Sequence, residues 1–404
     1  MRSPSLARRL GLSDAVFLGL GSMIGAGVFA AFGPAAHAAG GGLLPALALA
    51  AVIAYCNATS SARLAAIHPE SGGTYVYGRE KLGEFWGYLA GWGFVAGKTA
   101  SCAAMALTVV AYAAPGLGQP WRGMAVVAVV GALTAVNYFG VHRSALATRV
   151  IVSCTLLVLT AAAVTMAAGP SAGSLTFPWS GTGILEAAGL LFFAFAGYAR
   201  LATLGEEVRD PARTIPRAIP LALGLTLVVY AVIAVLLLIR LGPDALAASP
   251  DPIAAAVPPW LAPIVRAGAA LASLGSLLAL ILGVSRTTLA MSRDGHLPRF
   301  LAAVHPRFGV PHRAELAIGV LVAVLAVSVD LRHAIGFSSF AVLMYYAVTN
   351  VAALTLGGSS RLVGALGLVG CLVLAFSLPT SSVVAGCGVL ALGVLAYAVR
   401  RVRR

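Results

Sequence analysis

Apolar residues run along the chain in blocks of about 20, the length a helix needs to cross a ~30 Å hydrocarbon core at 1.5 Å per residue. Twelve such blocks are legible, beginning near Asp14, Leu43, Glu84, Gly123, Ala145, Gly183, Ile215, Pro263, Ala314, His333, Arg361 and Ser382. The pattern predicts an all-α integral membrane protein of about 12 transmembrane helices with both termini on one side. The longest connections, residues 66–83, 242–262 and 293–313, are too short for a soluble domain, so residues 1–404 are expected to form a single transmembrane domain. The first block exceeds the 7 to 15 apolar residues of a signal-peptide core and is expected to be a span.

Two blocks are interrupted. "GLGSMIGAGVF" (Gly19 to Phe29) places four glycines in eleven residues, each costing roughly 1 kcal/mol against alanine within a helix. "LLFFAFAGYARL" (Leu190 to Leu201) interrupts the sixth block. In hydrocarbon an unpaired backbone group costs several kcal/mol, so a spanning helix breaks where its freed N–H and C=O groups meet a ligand, an ion or water. Small residues at such spacings also serve helix packing, and both readings stay open here. The interruptions fall in blocks one and six, so ten blocks divide into two sets of five in opposite orientation: about 14–168 and about 183–356, followed by two extra helices at about 361–400. Inverted repeats with paired broken helices are the pattern of secondary transporters with a midplane site.

Composition supports the membrane assignment: 60% of residues are hydrophobic, 10% are charged, and the mean hydropathy is +0.94. A net charge of +14 would point to nucleic acid in a soluble chain, but its placement points elsewhere. Of the 27 lysines and arginines, four (Arg122, Arg240, Arg266 and Arg332) fall on one side, two (Lys98 and Arg200) within spans, and the other 21 on the side of the termini. The positive-inside rule then makes both termini cytoplasmic and accounts for the charge without nucleic acid. The five cysteines all lie in apolar segments without CxxC spacing, and the seven histidines lack metal spacing, so neither a metal nor a cofactor is expected.

Four motifs carry a resemblance over nearly the whole chain. They are "GSMIGAGVF" (21–29), "HPESGGTYVYGREKLG" (68–83), "GEEVRDPARTIPRAI" (205–219) and "RDGHLPRFLAAVHPRFGVP" (293–311). In this order they resemble the amino acid, polyamine and organocation (APC) superfamily of transporters. The resemblance implies a leucine-transporter-type fold of five plus five inverted helices with broken helices 1 and 6. It also implies a substrate carboxylate held against the backbone of Ser22, Met23, Ile24, Gly25 and Gly27, and a substrate ammonium at carbonyls around Phe195, Ala196 and Gly197. Phe193 and Phe195 stand where the family uses an aromatic gate, and Glu206 with Arg200 is a candidate gating pair at the cytoplasmic vestibule. Two positions depart from the family pattern: Arg63 replaces a usual glutamate in span two, and Thr155 or a neighbour occupies the place of a span-five lysine that stands in for sodium in some relatives.

Span three does carry a lysine, Lys98, some fourteen residues and therefore roughly 20 Å along the helix from either end, beyond the reach of snorkelling. Intramembrane lysines mark relays, pathways or counter-ions by default, which makes Lys98 the candidate for proton coupling; a structural role on broken-helix carbonyls is the alternative. The 13 acids all fall in loops or near span ends, with Glu186 about a turn into span six, so none is available to a distal cation at midplane. The expected function is secondary active transport of neutral amino acids across the bacterial inner (plasma) membrane by alternating access, by proton-coupled symport or exchange. The alternative is a carrier for cationic amino acids or amines, or an exporter. A channel would need repeated polar rings, and an intramembrane enzyme a convergent catalytic set, and the sequence offers neither.

Overall fold

A computed structural model describes residues 10–68, 72–140, 145–171, 181–202, 208–358 and 361–402. The described residues are helical almost throughout. In chain order the helices are α1 (Leu12–Met23), α2 (Gly27–Ala30), α3 (Phe32–Ala39), α4 (Leu43–Ile67), α5 (Thr74–Leu82), α6 (Glu84–Ala113), α7 (Trp121–Tyr138), α8 (Ala145–Ala168) and α9 (Gly181–Phe195). They continue with α10 (Ala199–Ala202), α11 (Pro211–Ala248), α12 (Pro252–Ala256), α13 (Ala262–Arg293), α14 (His312–Ser328), α15 (Leu331–Leu354), α16 (Arg361–Phe376) and α17 (Thr380–Val402). Every apolar block read from the sequence corresponds to helix.

Ten helical segments among the described residues are long and apolar enough to cross a membrane. The blocks beginning near Ala314 and Arg361 form the shorter α14 and α16, of 17 and 16 residues. Burial sorts the bundle. α6 and α15 are the most enclosed, and the apolar side chains of α7, α8 and α17 are mostly exposed at the periphery, as expected for surfaces that face lipid rather than protein. Gly97 permits the central contact: a Cβ there would lie 2.8 Å from Ala341 Cβ on α15. α11 is turned near its end, where Gly242 takes φ 73° and Pro243 starts a new short helical run. One backbone bridge, Leu10 to Val208, with Arg209 N–H donating to Leu10 O at 2.9 Å, ties the start of the described chain to the segment before α11.

One span-end acid is covered by a neighbouring helix. Glu315, read as a span-end residue, is fully buried in the first turn of α14 beside Ser285 and Arg286 of α13, because α14 packs its beginning against that helix.

Candidate functional site

The first helix breaks within its glycine cluster. α1 ends at Met23, Ile24 to Ala26 form a turn, and helix resumes at Gly27. The Ile24 amide closes the last turn of α1 by donating to Leu20 O at 2.7 Å, whereas the amides of Gly25, Ala26, Gly27 and Val28 make no backbone hydrogen bond among the described residues. Hydroxyls from neighbouring helices occupy the carbonyls at the break: Ser276 on α13 donates to Gly21 O at 2.9 Å, and Tyr230 on α11 donates to Met23 O at 2.6 Å. These approaches require glycine. A Cβ on Gly25 would fall 1.7 Å from Ser276 Oγ, and one on Gly27 would fall 2.7 Å from Tyr230 Oη.

The sixth-helix break is a 3-10 turn, Ala196–Tyr198, between α9 and α10. Tyr230 Oη also reaches Ala194 O at 3.1 Å. Lys98, 5% exposed, donates from Nζ to Ala196 O at 3.1 Å, so the single intramembrane lysine of the sequence ends on the carbonyl row of this break. An ammonium carries three donors, and its burial is tolerable where carbonyl oxygens face it.

The two breaks touch. A Cβ on Gly197 would lie 2.3 Å from Ser22 O and 2.8 Å from Met23 N, and a Cβ on Gly27 would lie 2.8 Å from Ala194 Cα. Met23, Ile24, Gly25, Gly27, Phe195 and Ala196 are buried, while Ser22 and Gly197 are half-buried. The Ser22 hydroxyl is turned back onto its own helix, donating to Leu18 O at 2.9 Å. Phe195 packs on the Tyr230 ring with centroids 5.1 Å apart, and Tyr230 in turn meets Phe32 edge-on at 6.0 Å; Phe193 is buried on α9.

This arrangement of backbone donors and acceptors between two interrupted helices can be compared with known proteins. A family profile described as amino acid permease matches residues 10–399. The chain belongs to the amino acid permease family. The permease is 64% identical over 409 residues to an uncharacterized transporter of Mycobacterium tuberculosis, with 98% of this chain and 92% of the relative aligned. It is 31% identical over 385 residues to the vacuolar cationic amino acid transporter 4 of Arabidopsis thaliana, covering 87% of this chain and 63% of that one. It is 27% identical over 379 residues to the branched-chain amino acid permease BcaP of Bacillus subtilis, covering 87% and 81%. With these relatives the permease stands as a multi-pass membrane transporter of the APC superfamily, and the relatives are named as transporters or permeases rather than enzymes.

Of the two departures from the family pattern, Arg63 donates to Gly357 O at 3.0 Å, tying α4 to the turn after α15. Thr155 is buried with its hydroxyl on Ile151 O at 2.7 Å. Arg200 is half-buried on α10, its guanidinium on the side of α13 near Gly283. Its proposed gate partner Glu206 lies outside the described residues, as does Glu207. Sequence reasoning missed Tyr230. A tyrosine within an apolar run signals nothing by periodicity, yet among the described residues it is the one side chain hydrogen-bonded to both breaks.

Proposed function

We propose that the permease is a secondary active transporter for neutral amino acids, working by alternating access about the two helix breaks, with Lys98 as its proton-linked group. The observation that carries this reading is the Lys98 ammonium on Ala196 O, at the carbonyl row where the resemblance places the substrate's own ammonium. Amides of the first break offer donors to a carboxylate, and carbonyls of the sixth offer acceptors to an amine. On this reading Ser22, Met23, Ile24, Gly25 and Gly27 line the carboxylate side, Phe195, Ala196 and Gly197 the ammonium side, and Phe193 and Phe195 close over the substrate. Arg200 and Glu206 would act at the inner vestibule.

The architecture proposed with this function counts α14 and α16 as spans, giving 12. They are arranged as a five-plus-five inverted repeat over about 14–168 and about 183–356, with two helices added at about 361–400. The basic loops support cytoplasmic termini, and the reading puts the chain in the inner (plasma) membrane. Among the described residues no carboxylate hydrogen-bonds to either break, which favours neutral side chains over cationic ones. The 31% identity to a cationic amino acid transporter supports the second reading, a carrier for cationic amino acids.

Uptake of a labelled amino acid panel into sodium-free proteoliposomes, with and without an inward proton gradient, tests both. Neutral substrates taken up faster with the gradient are expected. Uptake of arginine or lysine alone would establish the second reading. Uptake that needs preloaded substrate and ignores the gradient would make the permease an exchanger and leave Lys98 a structural cap.

A further inference from the structure

Two of the sequence motifs meet at a place the transport site does not use. "HPESGGTYVYGREKLG" supplies Tyr75 and Arg79 on α5, "RDGHLPRF" supplies Asp294 and His296 in the turn after α13, and Glu84 opens α6 beside them. Tyr75 Oη lies 2.5 Å from Asp294 Oδ2 and 2.8 Å from His296 Nδ1, and His296 Nε2 lies 3.1 Å from Glu84 Oε1. His296 is only 6% exposed, enclosed by α5, α6 and α17, while Glu84 is half in solvent.

Each of these three contacts needs one proton between its two heavy atoms. With both carboxylates ionised, the phenol supplies one proton and a neutral imidazole supplies one. The row is one proton short. We infer that Tyr75, Glu84, Asp294 and His296 form a proton-binding site, separate from Lys98, whose bound proton clamps α5 and the start of α6 to the end of α13.

The neighbours place the proton. Arg79 Nη1 stands 3.2 Å from Asp294 Oδ2 and donates to that carboxylate. Burial, with Asp294 alongside, raises the Tyr75 phenol far above its ordinary value, so it keeps its own proton and donates it to Asp294. The extra proton therefore sits on His296, which donates from both nitrogens. The rings of Tyr88 on α6 and Tyr397 on α17 flank the imidazole at 5.3 and 6.4 Å, and Arg400 on α17 spends Nη1 on Gly295 O at 2.7 Å. Glu80 pairs with Arg79 Nε, and Arg293 and Arg299 on the adjoining turns are exposed. When His296 loses its proton, lone pairs face each other across one contact and that contact opens. The clamp is closed while the row holds its third proton and loosens once rising pH removes it. Glu84 and Lys98 are separated by about 21 Å along α6, so the two protonatable groups are independent by position.

Hydrogen exchange of the full-length protein in nanodiscs, read by mass spectrometry between about pH 6 and about pH 9 and corrected for intrinsic rates, tests this without a substrate. Peptides covering residues 74–84 and 291–299 are expected to lose protection by about tenfold as pH rises, while peptides within α15 stay constant. His296→Gln should remove the step. Glu84→Gln should remove it too, because a carboxamide can donate to the imidazole and supply the missing proton; this variant decides the matter if His296→Gln does not fold. A wild-type profile without a step, or a step that survives both substitutions, would overturn the inference.

Discussion

At the first break both capped carbonyls accept from hydroxyls, Ser276 and Tyr230; at the sixth, one accepts from the same tyrosine and the other from an ammonium, Lys98. A hydroxyl is neutral and turns freely about its C–O bond, so it can release a carbonyl without moving charge through hydrocarbon. An ammonium cannot, and its interaction depends on its protonation. The glycines differ in the same sense. A Cβ at Gly25 meets a side chain, Ser276 Oγ at 1.7 Å, whereas a Cβ at Gly197 meets backbone, Ser22 O at 2.3 Å. At these two glycines the first break thus meets a replaceable side chain and the sixth meets backbone that has no substitute.

Substitutions can break this contrast at either end. The largest effect is expected from Gly197→Ala, which forces the two backbones apart and should cost about 3 kcal/mol or more, seen as loss of the monodisperse protein on size exclusion. Gly25→Ala should be nearly as damaging alone, but Ser276→Gly added to it should recover much of the thermal midpoint, and no side-chain change should rescue Gly197→Ala. Lys98→Met removes the ammonium from Ala196 O while keeping its length. Gradient-driven uptake should fall about 100-fold with a thermal midpoint lowered by only a few degrees, and full gradient-driven uptake would reduce Lys98 to a filler. Tyr230→Phe withdraws one donor from both breaks and should cost about 1 to 2 kcal/mol of stability, measured by thermal unfolding in detergent. Ser276→Ala, losing one hydrogen bond to Gly21 O, should cost about 0.6 kcal/mol, the smallest effect of the series.

How much of this could be read in advance depends on whether a feature is local. The positions of both breaks were legible because glycine acts on its own helix: the cluster from Gly19 to Gly27 contains the turn at Ile24 to Ala26, and Phe195 to Tyr198 contains the 3-10 turn. The anomaly of Lys98 was legible because a charge fourteen residues from a helix end cannot reach water. Its partner was not, since Ala196 lies 98 residues away and a carbonyl leaves no mark in sequence. Tyr230 escaped for the same reason. Glu315 lies at a helix start as read, but its burial was not legible, because a helix start reads as a surface until the neighbouring helix covers it. The motifs around Tyr75 and His296 were visible as strings, but their shared proton depends on two turns, 219 residues apart between Tyr75 and Asp294, folding into one contact.

Tyr230 holds one proton and lies within reach of two acceptors, Met23 O at 2.6 Å and Ala194 O at 3.1 Å. The O–H bond points at one of them at a time, and the shorter contact weakens it more. Its stretching frequency is therefore an optical pointer fixed between the two breaks: under the proposed alternating access, any parting or closing of the first and sixth helices should shift the phenol band in the infrared.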